Sequence, residues 1–262
     1  MKRKVGIIGC GWLGYRIAKY LNNSFEIHTT VTTESKIQLL SDEGLHPEII
    51  NFDKPPEEAD RSPWQKLSSI DHIIITVPLF SKRVSQDVLD IRIRNLSAFL
   101  ARYQGALTLM SSIGVYKEAA GKVTEELLPS ESCSGEKEIR QLFKQVNILR
   151  LGGLMGDDRL LSKYKVSDMD AAVNHIHFYD ICRIVHSLIT QSVTATVYNV
   201  VAPLHPSKRQ VIESQTGVSS GPSSAAATGR VIVSQKMVKE LGYQFMYPDP
   251  RQFHIPNHPD TR

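Results

Sequence analysis

The sequence predicts an α/β fold built on a doubly wound parallel sheet, and three observations carry that prediction. Short β-rich runs alternate with longer amphipathic runs through most of the chain, the pattern of strands joined by crossover helices. One run, Asp71-His72-Ile73-Ile74-Ile75-Thr76-Val77, is nearly continuous in apolar residues, as a central parallel strand covered on both faces requires. At the N-terminal end, a short strand (Lys4–Ile8) passes at once into Gly9-Cys10-Gly11-Trp12-Leu13-Gly14 and then into a helix (Tyr15–Leu21).

Strand, glycine turn and helix in succession are the setting in which GxGxxG signals dinucleotide binding. Gly9 is expected to make the tight turn. Gly11, having no side chain, lets a pyrophosphate approach the backbone, and Gly14 lets the helix pack close to the strand. The helix N-terminus then presents N–H groups and a positive dipole end to the phosphates. A plain glycine-rich turn is the alternative. The fold expected is therefore a Rossmann-type α/β core.

The remaining elements follow in order. Phe25–Val31 reads as the second strand. About twenty residues beyond Gly9, an Asp or Glu would select NAD through the ribose 2′-hydroxyl. The chain offers Thr30, Thr32 and Thr33 there, with Ser35 and Lys36 just beyond. NADP is thus the expected cofactor and NAD the alternative, while the threonines could equally cap the next helix. That helix is expected over Glu34–Glu43, stopped by Gly44. Ile49–Asp53 reads as a third strand, followed by a Pro55-Pro56 connection with a short helix near Trp64–Leu67. Pro78 ends the fourth strand. Ser85–Tyr103 reads as a helix stopped by Gly105, and Ala106–Met110 as the fifth strand.

Further on, a helix is expected over Ser134–Gln145 and a sixth strand over Val146–Leu151. A second glycine cluster, Gly152-Gly153-Leu154-Met155-Gly156, follows at the strand end. Residues 157–172 read as loop, Phe178–Thr190 as helix and Val197–Val201 as strand. Thr216–Arg230, rich in Ser, Ala, Gly and Thr, is expected to be a mobile loop. Ser234 should cap a short helix that Gly242 ends, and Pro248–Arg262 is expected to run over the surface. The domains expected are a dinucleotide-binding domain over 1–155 and a small, partly interleaved C-terminal substrate region over 156–262, with the chain returning to the core at about 173–202.

Composition narrows the function classes. The chain has 262 residues, 41% hydrophobic and 22% charged, with a net charge of +4, ordinary for a globular protein. There is no dense basic run, so nucleic-acid binding is not expected. No apolar stretch approaches about 18 residues, so no membrane span is expected. Met1 runs directly into the first strand, so no signal peptide is expected. Cys10, Cys133 and Cys182 lie far apart and read as reduced thiols of a cytoplasmic protein. His175 and His177 resemble a metal pair by type, but no third ligand accompanies them, and no metal is expected.

By Tyr116 a pattern is recognisable, and over most of its length the chain resembles the extended and atypical short-chain dehydrogenase/reductases, the NAD-dependent epimerase/dehydratase-like group. The markers are Gly9-Cys10-Gly11-Trp12-Leu13-Gly14, Ser111-Ser112-Ile113-Gly114-Val115-Tyr116, Leu149-Arg150-Leu151-Gly152-Gly153-Leu154-Met155-Gly156, Ile176-His177-Phe178-Tyr179-Asp180 and Val197-Tyr198-Asn199-Val200. In that family the serine four residues before the tyrosine of SSxxVY is a catalytic hydroxyl, which maps onto Ser112. A Tyr-x-x-x-Lys pair on the next helix moves the proton and holds the nicotinamide ribose. Here that segment reads Pro129-Ser130-Glu131-Ser132-Cys133-Ser134-Gly135-Glu136-Lys137-Glu138. Holding the lysine places Lys137 and puts Cys133 at the tyrosine position. Holding the Tyr-Gly step puts Ser134 at tyrosine and Glu138 at lysine. Neither register supplies a tyrosine, and the glycine spacing departs from the GxxGxxG usual in extended members.

The catalytic candidates are therefore Ser112, Tyr116, Cys133 and Lys137, with Tyr116 either a replacement proton donor or packed under the cofactor. The cofactor-binding candidates are Gly9, Gly11, Trp12, Leu13, Gly14, Thr30, Thr32, Thr33, Asp53, Val77, Pro78, Gly152 and Leu154. Arg150 either meets an anionic substrate or anchors a strand end. His177 and Asp180 belong, on the resemblance, to the entry of a helix. The resemblance implies an NAD(P)-binding oxidoreductase or epimerase acting on a small polar substrate with a non-standard proton donor. The alternative is a non-catalytic dinucleotide-binding regulator or sensor. The partner expected is one small-molecule substrate, with a homodimer left open.

Overall fold

The structure is a computed structural model that describes residues 2–55, 57–58, 62–79, 84–101, 103–117, 119–129, 133–219 and 227–256, with Ser134 described in its backbone only. The first half of the chain alternates strand and helix. It runs β1 (Lys4–Ile8), α1 (Trp12–Leu21), β2 (Glu26–Val31), α2 (Ser35–Asp42), β3 (His46–Ile49), β4 (His72–Ile75), α3 (Gln86–Leu100) and β5 (Ala106–Ser112). Beyond it come β6 (Lys122–Val123), α4 (Ser134–Leu142), β7 (Asn147–Leu151), β8 (Gly153–Met155), β9 (His175–His177), α5 (Phe178–Thr190), β10 (Val197–Val200), α6 (Lys208–Thr216), β11 (Val231–Ile232) and α7 (Gln235–Leu241).

Seven strands form one parallel sheet in the order β10-β7-β5-β4-β1-β2-β3. Val5 pairs with Ile27 on one side and His72 on the other, and Ile73 pairs with Leu107. The chain builds outward from β1 through β2 to β3, then crosses to β4 and continues in the other direction. This reversal between β1 and β4 is the switch point at which such sheets open a ligand crevice at their carboxyl ends. The expected doubly wound Rossmann-type α/β architecture is the one observed.

The chain divides into two compact units. The first comprises residues 1–111, 129–149 and 188–197, and the second residues 112–128, 150–187 and 198–262. The sequence expectation is a change near residue 155 with a return to the core at about 173–202; the chain passes between the two units after residues 111, 128, 149, 187 and 197. In the first unit, Ile8, Ile73, Ile75, Leu107, Leu109 and Ile148 of the sheet pack with Leu96 and Phe99 of α3 and Ile139 of α4. Trp64 stacks on Phe99 with ring centroids 5.2 Å apart. In the second unit, β8 pairs with β9 and β6 with β11, both in parallel. One apolar cluster there gathers Met155, Leu161, Val173, Val211, Tyr247 and Phe253, and another Ile113, Tyr116, Val123, Val201 and Ile232.

Several boundaries differ from the sequence expectation. The third strand is His46–Ile49, not Ile49–Asp53. It is the sheet edge, where Pro47 is tolerated because one side of the strand needs no partner. Asn51–Asp53 instead makes a turn in which Asp53 N–H donates to Asn51 Oδ1 at 2.9 Å. The short helical turn expected near Trp64 falls at Leu67–Ser69. The helix α6 was not expected. It is started by a full capping box, with Ser207 accepting from Gln210 N–H and Gln210 bonding back to Ser207 N–H, and it is stopped by left-handed Gly217. The C-terminal stretch is not wholly superficial, because Pro250 and Phe253 are buried in the second unit. Residues 220–226 of the expected mobile loop and residues 257–262 lie outside the described residues. Among the described residues no helix is long and apolar enough to cross a membrane. The three cysteines are free and buried.

Candidate functional site

The glycine turn between β1 and α1 uses its glycines for separate reasons. Gly9 has φ +96, a conformation that favours glycine. Its N–H donates to Thr30 Oγ1 at 2.9 Å, and Cys10 N–H donates to Thr30 O at 2.8 Å. Thr76, just past β4, donates its hydroxyl to Gly9 O and stands 3.2 Å from Ile8 O. The turn is therefore tied to both neighbouring strands. A Cβ on Gly14 would lie 2.2 Å from Gly9 O, so only glycine lets α1 approach this closely. Gly11 is different. Its φ is −83, and a Cβ there would meet nothing within 4 Å. The fold itself makes no demand for glycine at that position. No side chain caps α1, and its first turn carries no acidic residue. The first turn of α1 thus adds no carboxylate of its own to oppose the positive dipole end, while Glu43 accepts from the Tyr15 hydroxyl at 2.6 Å.

The end of β2 supplies a mixed set. Thr30 is buried, and its hydroxyl anchors the glycine turn instead of facing outward. Thr32 and Thr33 are exposed, with Ser35 donating to Thr33 Oγ1 at 3.3 Å. Lys36 is exposed as well. Burial raises the Cys10 thiol; a hydrogen bond to Thr29 and the charge of Lys36 oppose that shift, and the charge of Glu43 adds to it. Glu34, exposed at the N-cap of α2, is the acidic residue that follows the threonines.

The segment leaving β4 is braced by a buried arginine. Arg92 of α3 grips the Asp53 carboxylate through Nε at 2.6 Å and Nη2 at 2.8 Å, and its Nη1 donates to Pro78 O at 2.5 Å. Asn95, one turn on, donates to Phe52 O and Lys54 O, each at 2.9 Å. Asp53 and Pro78 are brought together by a residue that the sequence did not single out. Val77 borders the glycine turn, its Cγ2 lying 2.7 Å from where a Gly9 Cβ would stand.

At the carboxyl end of β5, Ser111 donates its hydroxyl to Glu136 Oε1 at 2.6 Å, and Glu136 is only 3% exposed. Glu136 sits in the first turn of α4, just after Gly135, whose Cβ would fall 2.6 Å from Leu79 O. Cys133 is the buried N-cap residue of this helix. Lys137 is exposed and Glu138 half-buried. The side chain of Ser134 lies outside the described residues. The residue of α4 that meets the end of the sheet is thus Glu136, which neither alignment of the Tyr-x-x-x-Lys pair selects.

The other catalytic candidates lie in the second unit. Ser112 Oγ accepts from Gly114 N–H at 3.0 Å and so caps the short helical turn Ile113–Tyr116. Tyr116 is 2% exposed. Its hydroxyl donates to Asn199 Oδ1 at 2.8 Å and accepts from Arg150 Nη1 at 2.7 Å. Arg150 is fully buried and also donates to Leu128 O at 2.8 Å, so it anchors the interior and does not meet solvent or a diffusing anion. Asn199 N–H in turn donates to buried Glu125 at 2.6 Å. Burial raises the Tyr116 hydroxyl above its ordinary range, against the lowering effect of Arg150.

The second glycine cluster serves close backbone packing. A Cβ on Gly152 would lie 2.5 Å from Asn174 O, and one on Gly153 would lie 2.5 Å from the His175 ring. Leu154 pairs with Ile176 in β8–β9. His177 stacks on Tyr247 at 3.7 Å and accepts from Tyr179 N–H at 3.3 Å. Asp180 accepts from Tyr243 Oη at 2.6 Å, Met246 N at 2.8 Å and Tyr247 N at 3.0 Å. His177 and Asp180 therefore open α5 and fasten the later chain to it, as expected of a helix entry. Among the described residues no group of three or more His, Cys, Asp or Glu could hold a metal ion.

Comparison with known proteins adds the following. No protein-family model matches the chain. The chain is 25% identical over 276 residues to Protein YeeZ of Escherichia coli strain K12, covering 95% of this chain and 97% of that protein. Among solved structures it is similar to UDP-glucuronic acid 4-epimerase from Bacillus cereus in complex with NAD, with a TM-score of 0.73 at 17% identity, covering 96% of this chain and 97% of that one. It is similar to the Bordetella bronchiseptica enzyme WbmG in complex with NAD, at a TM-score of 0.72, 15% identity and coverage of 97% and 93%. It is also similar to a functionally unknown conserved protein from Silicibacter pomeroyi, at a TM-score of 0.72, 17% identity and coverage of 96% of both chains. At these identities the likeness to solved structures is one of fold.

Proposed function

We propose that the chain binds NADP(H) at the β1–α1 glycine turn and acts as an oxidoreductase or epimerase of the epimerase/dehydratase-like type on a small polar substrate. The observation that carries this reading is Gly11. Gly9 and Gly14 are glycines because the protein's own backbone leaves no room for more. Gly11 has ordinary dihedrals and open space, so its missing side chain makes sense as clearance for a ligand reaching the backbone. Support also comes from the NAD complexes of two enzymes with the same fold, the UDP-glucuronic acid 4-epimerase and WbmG.

In this reading the glycine turn and the α1 N-terminus hold the pyrophosphate. Lys36, with Thr32 and Thr33, holds the 2′-phosphate, while Thr30 keeps the turn in place. Asp53, braced by Arg92, and Val77 and Pro78 shape the segment leaving β4. The bound cofactor would supply a hydride acceptor or donor, and the chain's own groups would position the substrate and move the proton. Ser112 is suited to the first task. Its oxygen accepts the Gly114 N–H, and a serine hydroxyl can still donate its proton to a substrate oxygen. Titration calorimetry of the protein with NADPH and NADH tests the reading, followed by a screen of hydroxyl and carbonyl compounds at the nicotinamide absorbance. Failure to bind either cofactor would remove it.

One set of observations favours a second reading, a dinucleotide-binding regulator without turnover. The α4 sequence SGEKEIRQL contains no tyrosine, and the Tyr116 hydroxyl is buried with its proton given to Asn199. Tight cofactor binding with no turnover across a broad screen would select this alternative.

A further inference from the structure

We propose that Ser111 and Glu136 form the proton-handling pair of the dinucleotide site, with the Glu136 carboxylate beside the nicotinamide end of the cofactor. The inference rests on the cofactor reading above and goes beyond it by naming the group that takes the proton.

The geometry comes from alternation along β5. Leu107, Leu109 and Ser111 share one face of the strand, and the first two belong to the apolar cluster that also contains Ile139 and Phe143 of α4. Ser111 is the polar residue that ends this row at the carboxyl end of the strand. Glu136, Ile139 and Phe143 follow one another at helical spacing on α4 and its C-cap, so the carboxylate takes a position where the pattern calls for an apolar side chain. Burying a carboxylate is unfavourable unless it is hydrogen-bonded, and Ser111 meets it at 2.6 Å.

The close approach of Gly135 to Leu79 O pins this first helical turn against the segment leaving β4. The pair therefore stands at the carboxyl ends of β4 and β5. In a doubly wound sheet the β1–β2–β3 half holds one mononucleotide and the half beginning at β4 holds the other. With the adenosine end held at β2, a bound cofactor would carry its nicotinamide toward the half that holds Ser111 and Glu136. The chemistry then balances. When a secondary alcohol is oxidised, its C–H bond breaks with the electron pair leaving as hydride to the oxidised nicotinamide. Its O–H proton passes to Ser111 Oγ as the Ser111 proton passes to Glu136, and the carbonyl forms. Reduction runs the same transfers backward.

The test reads affinity before activity. An anionic Glu136 stabilises the cationic oxidised ring and not the neutral reduced one. Glu136→Gln, which preserves an acceptor for Ser111, should weaken NADP⁺ binding about tenfold and leave NADPH within about twofold. Glu136→Asp, which keeps a carboxylate, should retain the preference for NADP⁺, and urea unfolding of each variant separates lost folding from lost affinity. Ser111→Ala and Glu136→Gln should each lower kcat more than they raise KM for any substrate found in the screen. An affinity ratio that is unchanged by Glu136→Gln in the folded variant would overturn the pair while leaving the cofactor site intact. Binding of neither cofactor to the wild-type protein would overturn both.

Discussion

Arg150 donates to the Tyr116 hydroxyl at 2.7 Å with neither side chain reaching solvent, and Tyr116 passes its own proton into the bond with Asn199 at 2.8 Å. The two residues are 34 positions apart in sequence. Together with Leu128 O and Glu125 they form a closed polar interior within the second unit. A tyrosine placed this way contributes cohesion. It has its donor and acceptor capacity committed, and burial raises its hydroxyl above the ordinary range, which favours the neutral, protonated form.

Tyr116→Phe should therefore destabilise the protein by about 1–3 kcal/mol, since Arg150 and Asn199 each lose a buried partner. NADPH affinity should be unchanged. Urea unfolding and calorimetry on the same preparation check both halves. A variant of wild-type stability would mean that water replaces the hydroxyl without loss.

Gly11→Val should fold normally and bind neither dinucleotide. The backbone at Gly11 is in a region open to any residue, and a Cβ there meets no protein atom within 4 Å. The branched side chain would instead occupy the pyrophosphate path. Thermal unfolding and titration with NADPH separate the two effects. Undiminished affinity in the folded variant would remove the proposed site.

NADPH should bind at least as tightly as NADH, and Lys36→Ala should erase the difference. Lys36 is exposed in the first turn of α2, just after the hydroxyl-bearing Thr32, Thr33 and Ser35. The competing influence is Glu34 at the helix N-cap. A tenfold preference for NADH, about 1.4 kcal/mol, would show that Glu34 reads the ribose and that the threonines serve only the backbone.

Stability should fall on mild acidification through His72. This imidazole lies on β4, 1% exposed, with Nε2 2.8 Å from Thr108 Oγ1. Burial depresses it from 6.5 to about 4, with the charge of Arg3 adding to the effect. Above pH 6.5 both folded and unfolded chains hold it neutral, and its contribution is complete. Between 6.5 and 4 the unfolded chain takes up a proton that the native state refuses, so stability declines, and below about 4 the effect levels off. Between pH 7 and pH 5 the loss from this group amounts to about 2 kcal/mol. Urea unfolding at both values, in wild-type protein and in His72→Asn, should show a smaller pH dependence in the variant. Equal dependence would assign the loss to other groups.

By itself the sequence determined what depends on near neighbours. The alternation of strand and helix, the glycine turn, the bounds of α5 and the stop of α7 at Gly242 all follow from short-range periodicity and local backbone chemistry, and the structure repeats them. Ser234 stands at the start of α7 as expected, but its hydroxyl exchanges hydrogen bonds with the Val201 backbone and does not cap the helix. The capping box of α6 is equally local, written in Ser207-Lys208-Arg209-Gln210, but the helix behind it buries only Val211 and so carries little apolar periodicity. The tertiary structure decided what depends on distant partners. The third strand pairs at His46–Ile49 because the sheet edge accepts Pro47, a fact about position in the sheet and not about residue preference. Asp53 meets Arg92 across 39 residues, Ser111 meets Glu136 across 25 and Tyr116 meets Asn199 across 83. Whether a polar side chain serves chemistry or cohesion rests on which groups surround it when water is excluded. That is settled when strands and helices close on one another, so the turn that would hold a cofactor could be read in one dimension and the company kept by Tyr116, Arg150 and Glu136 could not.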